Sequence, residues 1–156
     1  MTVQVRRQAL VLRSAAQVFD VIEAAEFYPQ FLPWCAGATI LQRDDQVVVA
    51  RLTVAWHKVR FSFVTRNPKR RPEWMAIGLE EGPFRQFAGT WQLTPLAESG
   101  CRVDFSLAYE FNASVLDPLA GPMFRRSIDH LVDAFVGRTE QLHPQAPLTS
   151  PPEKPP

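Results

Sequence analysis

The sequence predicts an α+β domain, a strongly curved antiparallel sheet wrapped around one long C-terminal helix, and three observations carry that reading. From Ala36 to Phe111 apolar and polar residues alternate, with turn residues at short intervals, which is the pattern of half-buried strands joined as hairpins. From Phe124 to Leu142 apolar residues recur at helical spacing with charges between them, the pattern of an amphipathic helix. Beyond residue 143, prolines at 144, 147, 151, 152, 155 and 156 leave few apolar side chains to offset the entropy of ordering, so 1–143 is read as one domain and 144–156 as a disordered proline-rich tail.

The bulk composition narrows the field. A chain of 156 residues buries one core and is too short for two ordinary domains. With 17 basic and 16 acidic side chains the net charge is +1, so no global field draws in DNA or an anionic membrane, and any such partner must meet a local patch. Cys35 and Cys101 stand apart from each other and from the histidines, and no apolar leader or run of ~20 apolar residues occurs. The expectation is a cytoplasmic protein with reduced thiols that touches membranes at most transiently.

Taken in order, Val3 to Leu12 reads as a first strand. Ser14 and Gln17 then form a capping box ahead of Val18, Phe19, Val21 and Ile22 at helical spacing, which predicts a short helix. The segment Phe27–Cys35 is aromatic but interrupted by Pro29 and Pro33, leaving room for a second short helix at most. Strands follow at 37–43, 47–56, 58–67, 73–81, 85–94 and 101–111, for a sheet of about seven strands in all. In the last of these Cys101, Val103, Phe105, Leu107, Tyr109 and Phe111 share one face, which is predicted to be buried. The same alternation turns Val59, Phe61 and Phe63 inward, and Phe87, Gly89, Trp91 and Leu93, with Gly89 marking a bend. The terminal helix presents Phe124, Ile128, Leu131, Val132 and Phe135 to the sheet. Ser114 and Asp117 both qualify as its cap, and the two prolines 118 and 122 cannot share one first turn, so a kink near Pro122 is expected.

Catalytic constellations are missing from the sequence. Glu80 and Glu81 are neighbours in a strand and point to opposite faces, Asp104 and Glu110 lie on a polar face, and His57, His130 and His143 are scattered. Neither HxH, HExxH nor paired-cysteine spacing occurs, so no catalytic residue, metal or cofactor is expected, and the buried-type cysteines read as inert.

An ordered series of short motifs carries a family resemblance: Tyr28-Pro-x-Phe-Leu-Pro-Trp-Cys35, Thr65-Arg-Asn67, Gly82-Pro-Phe84, Gly89-x-Trp91, Pro95 and Cys101-x-Val-x-Phe105. From Val3 to Leu142 the chain resembles the START-like (Bet v 1-like, helix-grip) polyketide cyclase/dehydrase superfamily, in the branch that holds bacterial ribosome-association toxins and mitochondrial coenzyme-Q-binding proteins. The resemblance implies a helix-grip cavity for a polyprenyl quinone such as ubiquinone, or a related lipid, serving respiration. For some bacterial members it implies instead binding to the large ribosomal subunit, which blocks subunit joining. A cyclase or dehydratase borrows only the superfamily name.

If a cavity exists, its expected walls are Phe27, Tyr28, Phe31, Leu32 and Trp34 at the mouth, then Phe61, Phe63, Phe87, Trp91, Phe105, Leu107 and Tyr109 on the sheet. Phe124, Ile128, Leu131, Val132 and Phe135 on the helix complete it. Ordinary core packing accounts for the same residues equally well, and the sequence leaves both readings open. The densest basic run contains Arg66, Lys69, Arg70 and Arg71; placed on a hairpin turn, it would either meet ribosomal RNA phosphates or simply be solvated.

Overall fold

The structure is a computed structural model and describes residues 2–112 and 118–145. Strand β1 (Val3–Val11) leads into helix α1 (Ala15–Glu23) and a 3-10 helix (Ala25–Gln30), followed by β2 (Cys35–Arg43), β3 (Val47–Trp56), β4 (Val59–Arg70), β5 (Trp74–Glu81), β6 (Phe84–Ala97) and β7 (Gly100–Phe111). Two helices, α2 (Ala120–Asp129) and α3 (Leu131–Leu142), close the chain. All pairings are antiparallel in the order β1-β7-β6-β5-β4-β3-β2, so six consecutive strands form a meander and β1 returns to pair with β7. This is the curved helix-grip sheet that the alternation predicts.

Local chemistry sets the elements. Ser14 Oγ accepts from the Gln17 amide while the Gln17 side chain accepts from the Ser14 amide, both at 3.1 Å, so the capping box starts α1. Val18, Phe19 and Ile22 then bury one face of that helix. Along β7 every second residue from Cys101 to Tyr109 is buried, as the alternation requires. Gly89 lies where β6 crosses β7 so closely that a Cβ would run into the carbonyl oxygen of Ser106; at Gly82 the turn has φ 151°, open to glycine alone.

Two expectations are corrected. The terminal helix is not continuous: His130, at φ −102° and ψ 1°, separates α2 from α3. Pro122 sits in the first turn of α2, where its missing N–H costs no helical bond, so the bend lies eight residues later than expected. The apolar spacing runs unbroken across His130, which is why the sequence reads as one helix. The candidate caps Ser114 and Asp117, and the tail from residue 146 onward, lie outside the described residues.

The second correction concerns β4, which runs to Arg70 rather than ending at the Asn67-Pro68 turn signal. Pro68 stands opposite Val47, and the Lys69 amide donates to the Gln46 carbonyl at 3.0 Å, so the strand continues past the proline. The concave face of β4 therefore carries Val59, Phe61, Phe63, Thr65, Asn67 and Lys69 in succession, passing from apolar to polar to charged.

The core lies between the concave sheet and the helices. Its densest part is a group of rings around Phe124, whose neighbours Tyr109, Phe111, Phe84, Phe61 and Phe87 have centroids 4.9, 5.3, 5.6, 6.2 and 6.4 Å away. A second group joins Tyr28, Phe31 and Trp91 to Phe135 of α3 at 5.1 to 5.2 Å.

Candidate functional site

Two neighbouring spaces between helices and sheet share Leu32, Trp34 and Leu131 as common walls. The outer one is an open groove of about 860 Å³ between the β3–β4 hairpin and the helical layer. Leu32, Pro33 and Trp34 form one side, Trp56, His57, Lys58 and Val59 the hairpin side, and Leu119, Met123, Arg126, His130, Leu131 and Ala134 the helical side. Its surface is mostly apolar; among the described residues the charged or titratable groups at its walls are Lys58, Arg126, His57 and His130. Trp56 and Leu119 stay exposed at 37% and 69%, unusual for large apolar side chains facing each other across one depression.

The hairpin tip is built by a two-residue loop in which His57 takes φ 51°, with Trp56 paired to Val59. The other wall exists because His130 interrupts the helix: the break lets α2 and α3 each contribute residues to the same depression.

The inner space, of about 70 Å³, lies under the helix junction. Tyr28, Leu32, Trp34, Phe63, Phe87, Trp91, Phe105, Leu107, Phe124, Ile128, Leu131 and Phe135 line it, all named by the sequence reading. Leu52, Thr65, Asn67, Met75 and Ile77 line it as well and were missed. Five expected wall residues are elsewhere. Phe27 is 47% exposed, Phe61 and Tyr109 are packed into the ring group, Phe31 stacks edge-on against Tyr28 and Phe135, and Val132 is buried in the core without reaching the cavity. The aromatic side chains fill most of the space they were expected to enclose, so the room for a ligand of ordinary size, about 300–1,000 Å³, is in the outer groove.

The polar groups around the inner space have distinct surroundings. The Tyr28 hydroxyl donates to the Ile22 carbonyl, and burial pushes its pKa far above the usual phenol value. Cys35, buried beside it, is pushed up to about 11 by burial, and its thiol donates to the Gly37 carbonyl at 3.4 Å. A thiol held protonated in this way is a poor nucleophile. Asn67 turns its amide nitrogen toward Met75 Sδ at 3.8 Å, and its Oδ1 is buried without a hydrogen-bond partner among the described residues.

The basic run splits by strand alternation. Lys69 points inward, is 9% exposed and forms an ion pair with Glu23 of α1, so the placement of Lys69 on a solvent-facing turn is corrected. Arg71 is bound to both carboxylate oxygens of Asp20, at 2.7 and 2.9 Å. Arg66 and Arg70 face outward from β4, Arg70 within 3.9 Å of Glu73. On the same convex face stand Arg51 of β3 and Arg60 of β4, and among the described residues Arg51, Arg60 and Arg66 are exposed with no ion pair. No group of three or more histidine, cysteine or acidic side chains among the described residues is placed to hold a metal ion. No helix among them is long and apolar enough to cross a membrane.

The profile of the family described as "Polyketide cyclase / dehydrase and lipid transport" matches residues 11–136, spanning every element from the end of β1 to α3. The chain belongs to the polyketide cyclase/dehydrase and lipid transport family. Within this family it is 34% identical over 140 residues to the ribosome association toxin RatA of Vibrio cholerae, covering 90% of this chain and 97% of that one. It is 26% identical over 131 residues to the mitochondrial coenzyme Q-binding protein of Dictyostelium discoideum, covering 81% of this chain and 64% of that one. The fold matches the crystal structure of the ZhuI aromatase/cyclase of Streptomyces sp. R1128 with a TM-score of 0.76 at 19% identity, covering 90% and 95% of the two chains. The helix-grip fold is thus shared with a protein named as an enzyme, while the sequence relatives are named for ribosome association and coenzyme Q binding; the likeness to the cyclase is one of fold alone.

Proposed function

We propose that this chain binds an apolar small molecule of the prenyl-quinone or related lipid class and does so without chemistry of its own. The observation that carries the reading is the groove of about 860 Å³, apolar over most of its surface, whose walls Leu32, Trp34 and Leu131 also wall the inner cavity. The bulk of the ligand lies in the groove and one end reaches inward. Burying ~300 Å² of isoprenoid at ~25 cal/mol per Å² gives a gross term of about 7 kcal/mol, from which the costs of association are subtracted. The family's lipid-transport description and the coenzyme Q-binding relative support the same class of ligand.

The test is mass spectrometry of an organic extract from natively purified protein expressed in a quinone-making bacterium. Met123→Arg and Ala134→Arg, at partly exposed groove walls, serve as controls. A stoichiometric prenyl lipid in the wild type, depleted in both variants, is the expected result; equal lipid in all three would sink the groove as the binding site.

A second reading, association with the large ribosomal subunit, is supported by the toxin relatives and by the unpaired Arg51, Arg60 and Arg66 on the convex face. Cosedimentation with purified 50S particles should weaken as salt rises, and should fall strongly in the Arg51→Gln/Arg60→Gln/Arg66→Gln triple variant but little in Arg71→Gln. Equal cosedimentation of both variants would remove the convex face from consideration.

A further inference from the structure

The outer groove changes character with depth. Its deep wall is apolar and closed to solvent, with Leu32, Trp34, Val59 and Leu131 all buried. Its rim is exposed, and among the described residues the charged side chains there are Lys58 at the hairpin tip and Arg126 on α2, one on each side of the opening.

Neither cation is neutralised. Among the described residues Lys58 and Arg126 form no ion pair, whereas Arg125, one position earlier on α2, faces Val3 and Tyr109 and lies 3.9 Å from Asp129. A cleft that carries one sign of charge above low-dielectric walls focuses that field into its opening. The other polar groups at the walls are His57 and His130, which as neutral imidazoles both donate and accept, and Ser127, whose hydroxyl donates to the Met123 carbonyl.

We infer that the groove holds its ligand with the tail inward and the head at the rim, and that the head it favours is an anionic acceptor, a carboxylate or phosphate lying between Lys58 and Arg126. The inference rests on the apolar-ligand reading above and adds to it an orientation and a head chemistry. Lysine and arginine side chains donate hydrogen bonds and accept none. The carbonyl and ether oxygens of a quinone head therefore suit the rim, an acidic head on the same kind of tail gains the charge interaction as well, and a cationic head is repelled. The end of the tail passes Leu32, Trp34 and Leu131 into the inner space, whose volume of about 70 Å³ takes a few carbon atoms.

The experiment uses the full chain and three monomeric probes with similar tails: decanoate, methyl decanoate and decyltrimethylammonium. Dissociation constants are read from tryptophan fluorescence, since Trp34 and Trp56 both line the groove. Wild type is expected to bind decanoate most tightly and the ammonium probe least, with the spread narrowing as sodium chloride is raised. Lys58→Gln/Arg126→Gln is expected to lower the decanoate-to-methyl decanoate affinity ratio about tenfold, and either single variant about threefold, as exposed charge pairs do. Arg125→Gln, which removes the same charge away from the groove, should leave the ratio unchanged. Acetate, a head without a tail, should displace decanoate no better than chloride does.

A ratio unchanged in the double variant, an equal fall in Arg125→Gln, or an ammonium probe bound as tightly as decanoate overturns the assignment to the rim and leaves the apolar-ligand reading standing. Displacement by acetate overturns the orientation, because the anion would then be held without its tail. Failure of wild type to bind any of the three probes overturns both readings. If the double variant loses methyl decanoate as well, the two single variants decide the ratio.

Discussion

The two sides of helix α2 face the rest of the molecule in opposite ways. On one side Phe124 is ringed by five aromatic side chains, with no solvent reaching it. On the other, Leu119, Met123 and Arg126 look across an open groove to Trp56 and Trp34. Both sides offer apolar side chains, although the groove side carries them beside the charged Arg126. What separates them is what stands opposite: β4, β6 and β7 bring rings into contact with Phe124, whereas the β3–β4 hairpin holds Trp56 at a distance. An apolar helix face thus becomes core or binding surface according to the partner the fold supplies.

The sharpest way to break this comparison is to truncate each side. Phe124→Ala should cost about 3–5 kcal/mol, as emptying a packed aromatic site does, whereas Met123→Ala should cost under ~1 kcal/mol. Urea denaturation followed by tryptophan fluorescence measures both, and equal losses would mean that the groove is a packed part of the core.

A smaller effect is expected along the basic run. Lys69→Ala leaves Glu23, among the described residues, with Arg43 at 3.5 Å, and should destabilise by about 1–3 kcal/mol. Arg70→Ala, at an exposed side chain, should fall within ~0.5 kcal/mol. The same denaturation series ranks the two, and a reversed order would return Lys69 to the solvent.

The smallest effects concern Cys35 and Tyr28. Both are acids whose folded pKa lies above the ordinary value, so the folded state holds these protons more tightly than the unfolded chain does. The Cys35 contribution is complete below the ordinary cysteine value of 9.0 and is lost as pH rises through about 11, while that of Tyr28 is lost only at higher pH. The urea midpoint should fall across that window, and less steeply in Cys35→Ala. Native protein should also react with iodoacetamide at pH 8 much more slowly than urea-unfolded protein; equal rates would place the thiols in contact with solvent.

How much of this was legible in the sequence depended on whether side-chain alternation or local signals had to be trusted. Alternation placed Phe63, Phe87, Trp91, Phe105 and Leu107 on the cavity wall, because on a strand the face of one residue fixes the face of all others. It missed Thr65 and Asn67 because binding residues were sought among apolar side chains, and Leu52, Met75 and Ile77 because the alternation was not followed along β3 and β5. The groove was not legible at all. Trp56 and Met123 lie on different elements, and only the distance between a hairpin tip and a broken helix turns them into opposing walls. The split of the basic run was readable in principle: once the strand is carried to Arg70, Lys69 must turn inward.

The break at His130 bears on how the molecule opens. Helix α3 is anchored from several sides: Arg138 bonds Gln30 at 2.7 Å and sits over the Phe31 ring, Arg13 donates to the His143 carbonyl, and the helix packs on α1. Polar ties from α2 to the sheet reduce, among the described residues, to an exposed pair between Arg7 and Asp129. His130 interrupts the helix between them, and α2 is the one held by fewer polar ties. Its amides should exchange with deuterium through local opening while those of α3 wait for global unfolding, so that the wall of the groove doubles as its door.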